Sequence, residues 1–141
     1  MRTISAILMI FVFFSCGVDE NTPTNPINDD FDPAAPGVTL LKQGMMMGAG
    51  GHTVAGTVKI YDSAGKTFIV LDPFESQNGP DLKVYLSEDV DASSYINLGP
   101  LKSTQGKQSY QVSGMPDLTK YPYVLIWCEK FTVIFGKAAV M

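Results

Sequence analysis

The chain has 141 residues, with 10 basic and 14 acidic side chains and a formal net charge of −4. This length fits one compact domain. Five of the acids lie in residues 17–36, so residues 37–141 carry nine lysines and nine acids and have no net charge. Without a basic surface, nucleic-acid binding is excluded. Arg2 is the single arginine, and the lack of others speaks against a nucleotide or sugar-phosphate enzyme.

The N-terminus has the pattern of an export signal. Arg2 precedes a largely apolar stretch of 11 residues, 4–14, which is too short to span a bilayer and fits a secretory signal. The sequence Phe13-Phe14-Ser15-Cys16 resembles the lipobox of bacterial lipoproteins. We therefore expect a signal peptide over 1–15 and lipid attachment, of the palmitate type, at Cys16. An ordinary signal peptide that leaves Cys16 free is the alternative.

Residues 16–36 predict a lipidated cysteine followed by an acidic tether. The segment after Cys16 has four prolines, five acids and few large apolar residues, a composition that predicts disorder. Gly17 after the cysteine resembles the sorting pattern of outer-membrane lipoproteins. We expect a protein held on the bacterial outer membrane by its lipid, facing the periplasm or the cell surface.

Residues 37–141 predict one all-β domain. Short alternating segments are separated by turn residues, and no stretch shows a helical stripe of sufficient length. The expected fold is an antiparallel β-sandwich or flattened barrel of about eight strands. The predicted strands are 38–47, 52–61, 67–71, 82–87, 95–98, 108–112, 123–128 and 131–135, the last two joined as a hairpin across Glu129-Lys130.

Six ordered blocks of this domain resemble the DM-thirteen family, an electron-transfer domain that also occurs beside cytochrome-type domains in Skeletor-like proteins. The blocks lie at 52–58, 78–87, 98–102, 106–110, 123–128 and 131–138. The resemblance implies a redox or haem-ligand role for the cysteine at Cys128. The run Met45-Met46-Met47 departs from the family pattern.

Cys128 is the residue with the most informative chemistry, because Cys16 is assigned to lipid. The thiol is either a redox or ligand group or a buried core side chain. Lys130 would share its strand face, whereas Glu129 would point away. His52 and Trp127 are further candidates for cofactor binding.

The residue types limit the cofactor. A lone histidine excludes blue copper and tetrahedral zinc, so no metal site is assigned. No C-x-x-C-H motif is present, which excludes covalent haem. Non-covalent haem or another metal, held by Cys128, His52 or a methionine, stays open.

Two other features have both a structural and a functional interpretation. Met45 and Met47 would share a strand face, where core packing is expected and soft-metal ligation is the alternative. Residues 78–81 predict a turn rather than a calcium loop. No nucleophile elbow or phosphate loop is present, so a conventional enzyme is not expected.

The predicted function is a membrane-anchored extracytoplasmic lipoprotein that acts in electron transfer or redox sensing through Cys128 with a redox partner protein. The alternative is a non-catalytic binding or adhesion module at the cell surface, in which Cys128 is a core thiol.

Overall fold

The computed structural model describes residues 21–141, which form a single nine-stranded sheet. The all-β prediction is confirmed. No helix in residues 21–141 is long and apolar enough to cross a membrane. The strands are β1 (Ile27–Asn28), β2 (Val38–Gly48), β3 (Val54–Ser63), β4 (Lys66–Ser76), β5 (Leu82–Ser87), β6 (Tyr95–Pro100), β7 (Gly106–Val112), β8 (Tyr123–Cys128) and β9 (Val133–Ala139).

The sheet is antiparallel except at one edge, and it curls into a half-barrel. Its strand order is β1-β7-β4-β3-β2-β9-β8-β5-β6, and only β1 and β7 run parallel. The curl brings the end of β6 back towards β7, where the Lys102 amide donates a hydrogen bond of 2.9 Å to the Tyr110 hydroxyl. One curved sheet thus encloses the core, as in a barrel that is not fully closed.

Strand alternation decides which side chains enter this core. In β5, Leu82, Val84 and Leu86 belong to the buried apolar cluster, while Lys83 and Tyr85 alternate with them on the outer face. β8 shows the same period, with Val124, Ile126 and Cys128 in the cluster. The two strands are paired from Leu82 with Cys128 to Ser87 with Tyr123, so their inner and outer faces coincide.

The C-terminal hairpin is confirmed. β8 and β9 pair antiparallel and close with Cys128 opposite Val133. The turn between them spans 129–132 instead of the predicted 129–130, and Thr132, its last residue, has a positive φ of 54°. β9 continues to Ala139 and packs between β2 and β8.

The disorder predicted for the acidic tether is wrong for its second half. Ile27 and Asn28 form β1 against β7, and the Phe31 ring packs 5.0 Å from the Phe68 ring. Asp29 accepts hydrogen bonds from Lys102 Nζ at 2.6 Å and from the Ser109 amide at 3.2 Å. These tertiary contacts offset the entropy cost of ordering the segment, and they cannot be predicted from its composition. Cys16 lies outside the described residues, and the predicted bounds 1–15, 16–36 and 37–141 stay predictions.

Candidate functional site

The Cys128 thiol is sealed in the core. Its residue is 0% exposed, and Sγ donates a hydrogen bond of 3.0 Å to the Pro80 carbonyl. Cys128 is the free cysteine of the described chain. The first described residues cover the loop that carries Pro80. Asn21 forms an isolated β-bridge with Pro80, and Thr22 Oγ1 donates a hydrogen bond of 3.4 Å to the Gly79 carbonyl.

Lys130 is not placed to activate this thiol. Lys130 is exposed in the β8–β9 turn, and its Nζ lies 5.9 Å from the centre of the Phe131 ring. Thiol reactivity needs both access and a stabilised thiolate. The surroundings of Cys128 therefore match those of a core side chain with one satisfied polar contact.

His52 packs on an aromatic ring. The imidazole stacks on Phe135, with 3.7 Å between ring centroids and 6° between planes. A Cβ on Gly79 would lie 2.6 Å from Phe135 Cζ, which places that ring against the loop that binds the Cys128 thiol. His52 is thus half-buried, and its ring contact is with Phe135.

Trp127 faces away from Cys128. It lies on the outer face of β8, opposite Lys83 of β5, and its ring centroid is 6.2 Å from that of Tyr85. The three sequence candidates therefore occupy three different environments. Cys128 is in the core, His52 packs on Phe135, and Trp127 belongs to an aromatic surface.

This aromatic surface is formed by Tyr85, Tyr95 and Trp127. The Tyr85 and Tyr95 rings stack 4.0 Å apart at an angle of 10°. Tyr85 is only 1% exposed although it lies outside the core, whereas Tyr95 is 44% exposed. Tyr95 thus connects a shielded phenol to solvent.

A carboxylate completes the cluster. The Tyr85 hydroxyl donates a hydrogen bond of 2.5 Å to Glu129 Oε1, and Asn97 Nδ2 donates to the same oxygen at 3.0 Å. Burial raises the pKa of Tyr85, and its hydrogen bond to Glu129 raises it further. The phenol is therefore protonated at neutral pH, with a proton acceptor already in contact.

Sequence reasoning missed Tyr85, Tyr95, Asn97 and Glu129 as site residues. Alternation did place Tyr85 on the outer face and turned Glu129 away from Cys128. What it could not show is the registration that joins them, because β5 pairs with both β6 and β8 only in the folded sheet.

The structure also places the predicted turn at 78–81 and the three consecutive methionines. Asp81 takes a positive φ of 56° in a turn, and its carboxylate pairs with Lys83 at 2.6 Å. Met46 is buried, but the core position expected for Met45 and Met47 is wrong, since both are exposed. Within residues 21–141 no group of three or more His, Cys, Asp or Glu side chains could hold a metal ion.

The family model described as Electron transfer DM13 matches residues 46–140. The match covers β3 to β9 and includes His52, Tyr85, Trp127, Cys128 and Glu129. No curated protein and no solved structure matches the chain.

Proposed function

The chain belongs to the Electron transfer DM13 family, and we propose that it passes single electrons at a membrane surface through the Tyr85–Glu129 pair. It would exchange them with a redox partner protein, as a lipid-anchored extracytoplasmic protein. The observation that carries this proposal is the shielded Tyr85 phenol in contact with a carboxylate.

The proposed step moves one electron and one proton. The Tyr85 O–H bond breaks, the proton passes to Glu129 Oε1, and the electron goes to a strong one-electron acceptor such as a high-potential metal centre of the partner. The products are a neutral tyrosyl radical and a neutral carboxylic acid. No charge is left on the buried phenol, which avoids the cost of burying an unpaired charge. Return of an electron and the same proton restores the pair.

Tyr95 and Trp127 extend this pair towards the surface. Their rings lie 4.0 Å and 6.2 Å from Tyr85, measured between centroids. Tyr95 is exposed enough for a partner to touch it. Exposed aromatic side chains are also frequent anchors in protein interfaces. The partner is therefore expected to dock on the face of β6.

Cys128 is the competing redox centre. Among residues 21–141, its thiol hydrogen bonds only to the Pro80 carbonyl, a weak base that cannot keep the proton when the sulfur loses an electron. Disulfide chemistry also requires attack by an accessible thiolate, whereas this residue is fully buried. These contacts favour Tyr85 over Cys128 for one-electron chemistry.

The test oxidises the purified full chain with a photogenerated ruthenium(III) polypyridyl complex and follows the tyrosyl radical by transient absorption. Tyr85→Phe should reduce the yield of long-lived radical at least fivefold. Glu129→Gln should slow the oxidation, because an amide is a poor proton acceptor. Tyr61→Phe is the matched control, since Tyr61 is a buried tyrosine whose ring lies 5.4 Å from that of Phe31.

Equal radical yields in the wild type and Tyr85→Phe, with a loss in Cys128→Ser, would contradict the proposal and return the redox role to Cys128. Unchanged rates in Glu129→Gln would contradict the proton transfer alone.

The membrane part of the proposal rests on Cys16. The described chain starts at Asn21, which bridges Pro80, so four residues separate Cys16 from it. An extended chain covers at most about 3.6 Å per residue, which limits the span from Cys16 to Asn21 to about 18 Å. The domain would therefore sit with its 78–81 turn close to the lipid.

Lipid attachment is tested by growing cells that express the full chain with labelled palmitate. The wild type should carry label and fractionate with membranes, and Cys16→Ala should lose both properties. Cys128→Ala is the control and should keep the label. Label that persists in Cys16→Ala would contradict the anchor without affecting the Tyr85 proposal.

Non-catalytic binding at the cell surface is the second candidate, and the complete burial of Cys128 is the observation that favours it. In that case the aromatic surface is a contact site without redox chemistry. Tyr95→Ala would then abolish partner binding, while Tyr85→Phe, which keeps the ring, would leave binding unchanged.

A further inference from the structure

Three methionines expose their side chains on one face of the sheet. Met45 is 73% exposed, Met47 is 58% exposed and Met141 is 88% exposed, whereas Met46 between the first two is 2% exposed and belongs to the core. Core packing therefore explains Met46 and leaves the other three thioethers without a structural role.

Strand pairing gathers these three residues. Met45 and Met47 are two positions apart on β2 and so share a face. The Gln43 amide donates to the Met141 carbonyl at 3.1 Å, and the Met141 amide donates to the Gln43 carbonyl at 3.0 Å. Met141 is thus opposite Gln43 and diagonal to Met45, within reach of a long side chain.

The three side chains line one open depression of about 480 Å³, together with Gln43, Gly44, Thr57 and Ala139. None of the lining side chains carries a charge. Two lysines are neighbours in register, since Lys59 pairs with Gln43 and Lys137 pairs with Met47. Three thioether sulfur atoms without a side-chain carboxylate are poor ligands for a hard cation.

We propose that Met45, Met47 and Met141 form a three-thioether site for a soft monovalent metal ion, Cu(I) or Ag(I). Thioethers are soft ligands that select Cu(I). Methionine is unbranched and has three rotatable side-chain torsions, so three sulfur atoms from neighbouring positions can converge on one ion. The site does not depend on the proposed electron transfer, because it lies on β2 and the adjoining chain end rather than on β5, β6 and β8.

The acid–base chemistry of the site differs from that of other soft-metal sites. Thiol and imidazole ligands must lose protons before they bind a metal, which makes their affinity depend on pH. A thioether carries no such proton. The metal affinity of this site should therefore change by less than about twofold between pH 5 and 8.

The experiment titrates the full chain, labelled with ¹³C at the methionine methyl groups, with Ag(I) and then anaerobically with Cu(I). The methyl signals of Met45, Met47 and Met141 should shift together and saturate at one ion per chain. Met115 is the internal control, because it is 79% exposed and does not line the depression.

Leucine variants separate ligation from simple apolar contact, since leucine keeps the volume and hydrophobicity of methionine but has no sulfur. Met45→Leu should weaken binding at least tenfold, and Met115→Leu should leave it unchanged. Three results would overturn the site: equal shifts of Met115 and the three clustered methyl groups, an affinity that Met45→Leu does not alter, or the absence of any shift.

Discussion

The surroundings of Cys128 are those of a core side chain, although its residue type suggests reactivity. A lone thiol in a chain with a predicted export signal points to chemistry, yet the side chain is fully buried, and its one hydrogen bond within residues 21–141 goes to a backbone carbonyl. Its neighbour Trp127 points to the opposite face. The two residues that adjoin in sequence thus serve different layers of the molecule.

The burial of Cys128 predicts its labelling behaviour. In the native full chain the thiol should resist a disulfide reagent and should react stoichiometrically once the protein is unfolded in guanidinium. The readout is released chromophore, with Cys16→Ala as background so that only Cys128 is counted. Native reaction at the rate of a free thiol would contradict the burial.

A pair of substitutions separates the hydrogen bond from the volume of this thiol. Cys128→Ala removes the donor to Pro80 and leaves a small void, and it should destabilise the fold by about 1–3 kcal/mol. Cys128→Ser retains a donor. Its loss in urea unfolding free energy should be smaller if the hydrogen bond dominates, and equal or larger if sulfur packing dominates.

At the scale of elements, β1 is the part that the sequence did not predict. Residues 21–36 have the composition of a disordered tether, and no local pattern marks a strand. β1 forms because Ile27 and Asn28 meet the exposed edge of β7, and because Asp29 finds Lys102 across 73 positions of sequence. A short segment of sequence carries no signal for long-range pairing of this kind.

Asp29 gives β1 a predictable dependence on pH. Burial raises the pKa of its carboxyl, but hydrogen bonds from Lys102 and Ser109 outweigh this and lower the pKa from 3.8 to about 2. A depressed pKa in the folded state adds stability that is complete above the unfolded value and is lost as pH falls through the folded value. The contribution should therefore disappear between about pH 4 and pH 2.

Asp29→Asn tests this directly. The difference in unfolding free energy between wild type and variant should be constant above pH 4 and should shrink as pH falls to 2. Hydrogen exchange of Ile27 and Asn28 should rise in the variant at neutral pH. Asp30→Asn, at an exposed position, is the control. A difference that stays constant down to pH 2 would contradict the assignment.

For the whole molecule, fold class was more predictable than the functional site. Alternation in β5 and β8 and the turn residues between strands were enough to predict an all-β domain and the final hairpin. Both depend on short-range pattern. Curling into a single sheet depends on which strands become neighbours, and the order β1-β7-β4-β3-β2-β9-β8-β5-β6 has no local signature.

The same limit applies to the site. Sequence reasoning selected rare residues, namely the lone histidine, the lone tryptophan and the unassigned cysteine. The structure instead joins common residues. The Tyr85 hydroxyl donates to the Glu129 carboxylate, which lies 44 positions later in the sequence, and the Asn97 amide donates to the same oxygen. These residues come together only because β5 pairs with both β6 and β8.

Passage of the electron through Tyr85 can be observed directly. The measurement is electron paramagnetic resonance of the full chain, freeze-quenched after one-electron oxidation, with and without ring-deuterated tyrosine. We expect a tyrosyl spectrum that narrows on deuteration, survives in Cys128→Ser and is lost in Tyr85→Phe. A sulfur-centred spectrum that ignores deuteration and disappears in Cys128→Ser would contradict it.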